Sequence, residues 1–470
     1  MKQKIGLWDL VLMNVIALFG IRWIAKSTAD SFGLGLGAIP MWILFAFIFF
    51  IPAALICAEL AATYPRNGGM YDWVKEAYGE KWGFIVSWLN WTSKLFWFSS
   101  FLTFLSINIS FALGQPELAQ DKLFVLILAI ATMWILSFVS MRGMVFGKIF
   151  TNIGALGSTI PATLLIIMAF VSVLVYKNTP ASVYDIATLT PKLNMDSLSA
   201  IASIMFALAG AETTANFVTE VDNPKKTFPK AILLSAVIVS VLYVLGSIAI
   251  TMILPPDKIT ASRGILESIA LVAAQLGIGP WFIQLIALGI AFSVFGGIVL
   301  YMASPIRMLF GSVPQGVFPG FFTKINKYDI PGNALIFQTI VISLLLLGVN
   351  LLPSVDSLYN LLVNMTALTA LFPYLILFAS YIKLRKERPN EERPYSMCAD
   401  NNTAIAIAKM VLVVSTAGIV LSAAPVMGTT YDNIVYEVQM FGGGLVVIYS
   451  AFYIWSRYMK KLKKSATVSN

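Results

Sequence analysis

The chain has 470 residues, of which 58% are hydrophobic and only 12% are charged, and its mean hydropathy is +0.82. Soluble domains carry about 25% charged residues, so an ordinary globular core is excluded. Continuous apolar runs of about 20 residues also exclude an outer-membrane barrel, whose strands alternate over about ten. The net charge of +9 does not point to nucleic acid, because the positive residues follow the pattern of membrane topology.

Apolar runs of spanning length fall at 7–33, 38–62, 83–113, 123–141, 150–176, 197–219, 230–254, 278–305, 333–352, 355–382, 404–424 and 434–456. They predict an all-α polytopic membrane protein with twelve transmembrane helices. The connectors are short except for the polar stretches 63–82, 306–332 and 383–403. The first run reads as a span and not as a cleaved signal, because Arg22 and Lys26 interrupt it and no small-residue cleavage site is evident. With the N-terminus in the cytoplasm, 24 of the 32 Lys and Arg fall on inner segments and 5 on outer ones. That is a positive-inside bias, and it predicts cytoplasmic termini and an even number of spans in a cell membrane. The basic tail, 457–470, reads as an anchor on anionic headgroups. Cys57 lies in a span and Cys398 in a polar loop, so no disulfide is expected.

Three cations remain inside spans: Arg22, Lys26 and Lys94. The inner carboxylates are Glu59, near a span end, and Glu212, in mid-span. A charge at the bilayer centre costs roughly 2.5–3.5 kcal/mol, so each of these should face protein or water. In span one, Gly20 precedes Arg22, and Lys26 follows one helical turn later. The spacing puts both cations on one face, either to attract an anionic substrate or to pair with Asp30 or Glu212. In span six, Leu208-Ala209-Gly210-Ala211 leads into Glu212. Two interrupted helices five spans apart suggest two five-helix repeats of inverted topology, 1–176 and 197–382, followed by two more spans in 404–456.

The substrate is then expected where the breaks meet. Backbone at Gly20, Ile21 and Arg22, and at Ala209, Gly210 and Ala211, would contact its carboxylate and amine. The competing reading is close helix packing through small residues. Glu212 is read as a coupling or gating carboxylate, or as a structural bond across the break. The chain has no histidine, so a proton relay would use carboxylate, lysine or tyrosine. Lys94 sits among Trp88, Trp91, Phe96, Trp97 and Phe98. It can cap a substrate carboxylate, make cation–π contacts, or snorkel along an aromatic face. Trp97, Ser293 and Asn364 are placed along the path. Glu59 and Arg66 are read as stabilising the cytoplasmic end of the first repeat.

Specific stretches carry a resemblance. The first is Ala58–Trp88, AELAATYPRNGGMYDWVKEAYGEKWGFIVSW; the second is Gly210-Ala211-Glu212 with Asp222-Asn223-Pro224-Lys225-Lys226 and Pro229. The third is Ser304-Pro305, Arg307, Gly316, Phe318-Pro319 and Asn326. In this order they resemble the amino acid–polyamine–organocation superfamily of transporters. The wording GLWDLVLMNVIALFG and WILFAFIFFIPAALICAELAA is similar to the glutamate/γ-aminobutyrate antiporter branch. The resemblance implies a leucine-transporter-like fold and small amino acid substrates; protons enter as a coupled ion only through the reading of Glu212. One departure is that Phe19-Gly20-Ile21-Arg22-Trp23 stands where many relatives carry a Gly-Ser-Gly run.

The expected function is therefore a secondary amino acid transporter working by alternating access, as an exchanger. Its substrate would be an acidic or neutral amino acid, taken against a related amino acid or its decarboxylated amine. The alternative is a proton-coupled symporter of broad specificity. No GxxxxGK[ST] run, catalytic constellation or metal-ligand cluster is legible, so neither an enzyme nor a cofactor is expected.

Overall fold

The computed structural model describes residues 4–29, 33–66, 68–142, 144–192, 195–210, 212–214, 220–328, 330–349, 354–422 and 430–468. The helices in chain order are α1 (Leu7–Leu18), α2 (Arg22–Thr28), α3 (Ala38–Phe45), α4 (Ile51–Thr63), α5 (Met70–Tyr78) and α6 (Glu80–Ala112). They continue with α7 (Lys122–Ser140), α8 (Met144–Leu174), α9 (Ile186–Leu189), α10 (Met195–Ala207), α11 (Pro224–Ile253) and α12 (Gly264–Gln275). The last six are α13 (Trp281–Ile306), α14 (Gly320–Thr323), α15 (Gly332–Val349), α16 (Val355–Glu387), α17 (Asn401–Ser422) and α18 (Thr430–Val468).

Among the described residues, eight helices are long and apolar enough to cross a membrane, and two shorter apolar helices accompany them. The chain is thus an all-helical membrane protein. Its one β-bridge among the described residues joins Ile5 to Val221, so the start of the chain is tied to the segment after the second break.

Both expected interruptions are present. The first run divides into α1 and α2, separated by Phe19–Ile21. The run expected at 197–219 stops being α-helical at Ala207, and Gly210 takes φ +132°. Four other helices, α5, α9, α12 and α14, lie in stretches read as connectors, and α9 and α14 have only four residues each. α5 is amphipathic and short, and its charged face gives 63–82 its polar reading. α12 is apolar but has 12 residues, below the roughly 20 needed to span.

Packing places the breaks at the centre. α11 lies against α1, α2 and α4, while α13 lies against α6 and α8. These approaches use small residues, as helix contacts in lipid do. A Cβ on Gly246 would meet Ile24 Cδ1 at 2.4 Å, and one on Gly157 would meet the Gly289 carbonyl at 2.4 Å. α16 packs on both α6 and α17 and runs past the whole site.

Candidate functional site

A helix break leaves carbonyls without their intrahelical donors, and in a membrane interior each needs another partner. Three are supplied by two tyrosines. Tyr301, on α13, donates to the Ala17 carbonyl at 2.7 Å. Tyr243, on α11, lies 3.0 Å from the Leu18 carbonyl and 3.4 Å from that of Ala207. Its hydroxyl has one proton to give, so it bridges the two breaks by alternating between them. The same oxygen accepts the Gly20 N–H at 3.0 Å. Trp42 stacks on the Tyr243 ring, with centroids 4.1 Å apart and planes 4° from parallel.

The breaks touch closely. A Cβ on Gly210 would lie 3.0 Å from the Tyr301 hydroxyl and 3.2 Å from the Ala17 carbonyl. With φ +132°, the position suits glycine on both counts.

Between the breaks lies a cavity of about 40 Å³ lined by α1, α2, α6, α13, α16 and the end of α10. One water needs roughly 10–15 Å³ on this measure, so the cavity has room for only a few waters. Gly20, Arg22, Lys94, Trp97, Ala209, Gly210 and Glu212 all line it. The structure therefore brings together seven of the residues singled out from the sequence. Ile21, Lys26, Ser293 and Asn364 are buried outside this lining. Ser293 instead packs α13 against Gly157 of α8. Ala211 and Asp30 lie outside the described residues.

The charged groups are held in distinct ways. Glu212 is 3% exposed; it accepts a hydrogen bond from Tyr374 of α16 and another from Thr213 at 3.3 Å. Arg22 is 1% exposed and donates to Ser100 of α6 at 3.2 Å. Its guanidinium also lies 4.7 Å from the Trp23 ring and 4.5 Å from that of Phe101. Its Nε is buried without a hydrogen-bond partner. Lys94 places its ammonium 4.6 Å from the Tyr301 ring. The expected aromatic contact therefore exists, but it runs to α13 and not along Lys94's own helix. Rings connect the two cations: Trp97 lies 4.3 Å from Phe101 and 4.5 Å from Tyr301. Lys26 donates to Asn360 of α16 at 2.7 Å.

Sequence reading missed Tyr243, Tyr301 and Tyr374. A usable signal existed for Tyr243, which sits in mid-span, whereas membrane tyrosines concentrate at the interfaces.

A buried, charged cavity between two broken helices of a membrane protein is a setting for a small polar solute. The chain belongs to the amino acid permease family, whose model matches residues 5–446, within the amino acid–polyamine–organocation superfamily. It is 30% identical over 451 residues to an uncharacterized transporter of Legionella pneumophila, covering 95% of this chain and 96% of that one. It is 25% identical to a probable agmatine/putrescine antiporter of Lactococcus lactis, covering 92% and 90%. It is also 25% identical to a glutamate/gamma-aminobutyrate antiporter of Lactococcus lactis, covering 74% and 70%. The chain is thus an integral membrane protein of an amino acid transporter family.

Proposed function

We propose that this protein is a secondary active amino acid exchanger working by alternating access. In this reading it has twelve spans: two inverted five-helix repeats in 1–176 and 197–382, two further spans in 404–456, and a basic cytoplasmic tail in 457–470. The observation that carries the proposal is the cavity at the two breaks, which gathers Arg22, Lys94 and Glu212 out of water. Two cations against one carboxylate favour a substrate with net negative or zero charge. Its carboxylate would approach Arg22 or Lys94, and its amine would approach Glu212. Gly20, Ala209 and Gly210 would supply close backbone contact, with Ala211 beside them. Trp97 would shape the wall between the cations. Lys26 would act outside the cavity, in holding α2 against α16. The two Lactococcus lactis relatives described above are called antiporters, which supports exchange over net uptake.

Counterflow in proteoliposomes tests this. Uptake of labelled amino acid should require a preloaded amino acid or amine. Uptake driven by a pH gradient into empty vesicles would favour the second reading, a proton-coupled symporter. The Glu212–Tyr374 bond is the observation behind that alternative, because a protonated Glu212 would become a donor and rearrange it. In either reading, Glu212→Gln should lower transport or shift its dependence on pH. Unaltered transport from about pH 5 to 8 would remove Glu212 from the coupling role.

A further inference from the structure

A groove of about 340 Å³ lies across α16 from the substrate cavity, lined by Tyr78, Trp82, Leu375, Ile376 and Ala379. It runs between the α5–α6 elbow and the last turns of α16. Tyr78 donates to the Ala379 carbonyl at 3.3 Å and so fixes the elbow to α16. Tyr78 and Trp82 are each more than a third exposed. Two lysines neighbour the aromatic rings of this lining. The Lys383 ammonium lies 4.6 Å from the Tyr78 ring. The Lys81 ammonium lies 5.2 Å from the ring of Phe452, which meets Trp82 edge-on. Glu387 approaches Lys383 at 3.7 Å from one turn further toward the solvent. The charge count puts Lys81 and Lys383 at the cytoplasmic boundary, where the leaflet carries anionic headgroups.

We propose that this groove is a binding site for one anionic phospholipid. Its acyl chain lies along Leu375, Ile376 and Ala379, and its phosphate sits between Lys383 and Lys81. The apolar floor excludes a free phosphate as the natural occupant, and the two ammonium groups select an anionic headgroup over a zwitterionic one. The site also has a route to the transport machinery. Residues 375, 376, 379 and 383 form one face of α16, by the i, i+3, i+4 rule. Tyr374, Tyr381 and Arg385 fall on the other face, where Tyr374 bonds Glu212 while Tyr381 and Arg385 bond Glu59. A lipid seated on the first face braces the helix that carries these bonds on the second.

The test uses thermal unfolding of the full-length protein in detergent, titrated separately with phosphatidylglycerol, phosphatidylcholine and glycerol 3-phosphate. Phosphatidylglycerol is expected to raise the melting temperature saturably and more than phosphatidylcholine does, with glycerol 3-phosphate inert. The double variant Lys81→Gln/Lys383→Gln should lose the difference between the two lipids. Ala379→Trp, which fills the groove and keeps both lysines, should lose the saturable shift. Equal shifts from the two lipids on the native protein would overturn the proposal, as would an equal shift from glycerol 3-phosphate. So would a phosphatidylglycerol preference that survives in the lysine double variant.

Discussion

The two ends of the cavity are closed by different chemistry. At the end assigned by charge to the outside, Lys26 of α2 meets the neutral amide of Asn360 at 2.7 Å. Nearby, Arg263 reaches Asp356 at 3.6 Å, and Ser262 also bonds Asp356, whose side chain is 43% exposed. At the other end, Glu59 is 2% exposed and collects four donors. Arg385 Nη2 lies at 2.6 Å, Arg393 Nε at 3.2 Å, the Tyr381 hydroxyl at 2.9 Å and the Met397 N–H at 2.9 Å. The segment after α16 is thereby strapped over the end of α4, and Arg388 reinforces it by reaching Glu76 of α5 at 2.8 Å. α16 carries both closures: Asn360 and Arg385 lie about 37 Å apart along it at 1.5 Å per residue, with Tyr374 between them. The comparison teaches that one end is held by a buried lysine on a neutral amide, with solvent reaching only the ion pair at Asp356 beside it. The other is a desolvated ion cluster, and parting it would separate buried charges.

The largest expected effect breaks the inner side. Glu59→Ala strands Arg385 and Arg393 in a buried site, and removing one partner of such a cluster costs about 3–5 kcal/mol. Thermal unfolding in detergent should show a large drop in melting temperature. Glu59→Gln keeps the shape and some acceptor capacity, so it should fold while loosening the strap. Cys57, buried two residues earlier, then serves as a reporter. In a Cys398→Ser background, maleimide labelling of Cys57 should rise in Glu59→Gln. Labelling that stays at the native rate would show that the cluster does not guard this end.

Lys26→Met is next in size and probes the outer side. It removes the bond to Asn360 without leaving an empty volume. Weakening that contact should shift the population toward outward-facing forms, raising apparent affinity for external substrate by up to about tenfold, or about 1.4 kcal/mol. Cys57 labelling should stay at its native rate. A rise in labelling would mean that the two closures are not independent.

The sequence made one half of this comparison legible. Span-length apolar runs, the glycines at the breaks and the misplaced charges Arg22, Lys94 and Glu212 are all local signals, and the structure gathers them at one cavity. Glu59 and Arg66, expected to stabilise the cytoplasmic end of the first repeat, each make an ion pair. The partners were not legible. Glu59 and Arg385 stand 326 positions apart, and no hydrophobic period encodes which charge a fold will bring beside another. The strap looked like an ordinary polar connector, because its arginines point inward only after α4 and α16 have packed. Of the tyrosines that bridge the breaks, Tyr243 stands out by its mid-span place, whereas Tyr301, near the end of its run, reads as an ordinary interfacial aromatic.

The smallest expected effect separates burial from the number of ion pairs. Arg66 pairs with Glu76 at 3.4 Å on the same side as the strap, but its side chain is 57% exposed. Water already solvates most of that charge, and holding two long side chains together costs conformational entropy, so such a pair contributes about 0–1 kcal/mol. Glu76 also keeps Arg388 when Arg66 is gone, so no charge is stranded. Arg66→Ala should therefore leave the melting temperature within a degree or two of native and leave Cys57 protected. If it instead matched Glu59→Ala, the firmness of the inner closure would lie in the summed surface charge of that end. Added salt would then loosen it, because exposed pairs are screened at a Debye length of about 10 Å in 0.1 M salt. A desolvated Glu59 cluster predicts the opposite: labelling of Cys57 that is indifferent to salt in the native protein and sensitive only to loss of Glu59.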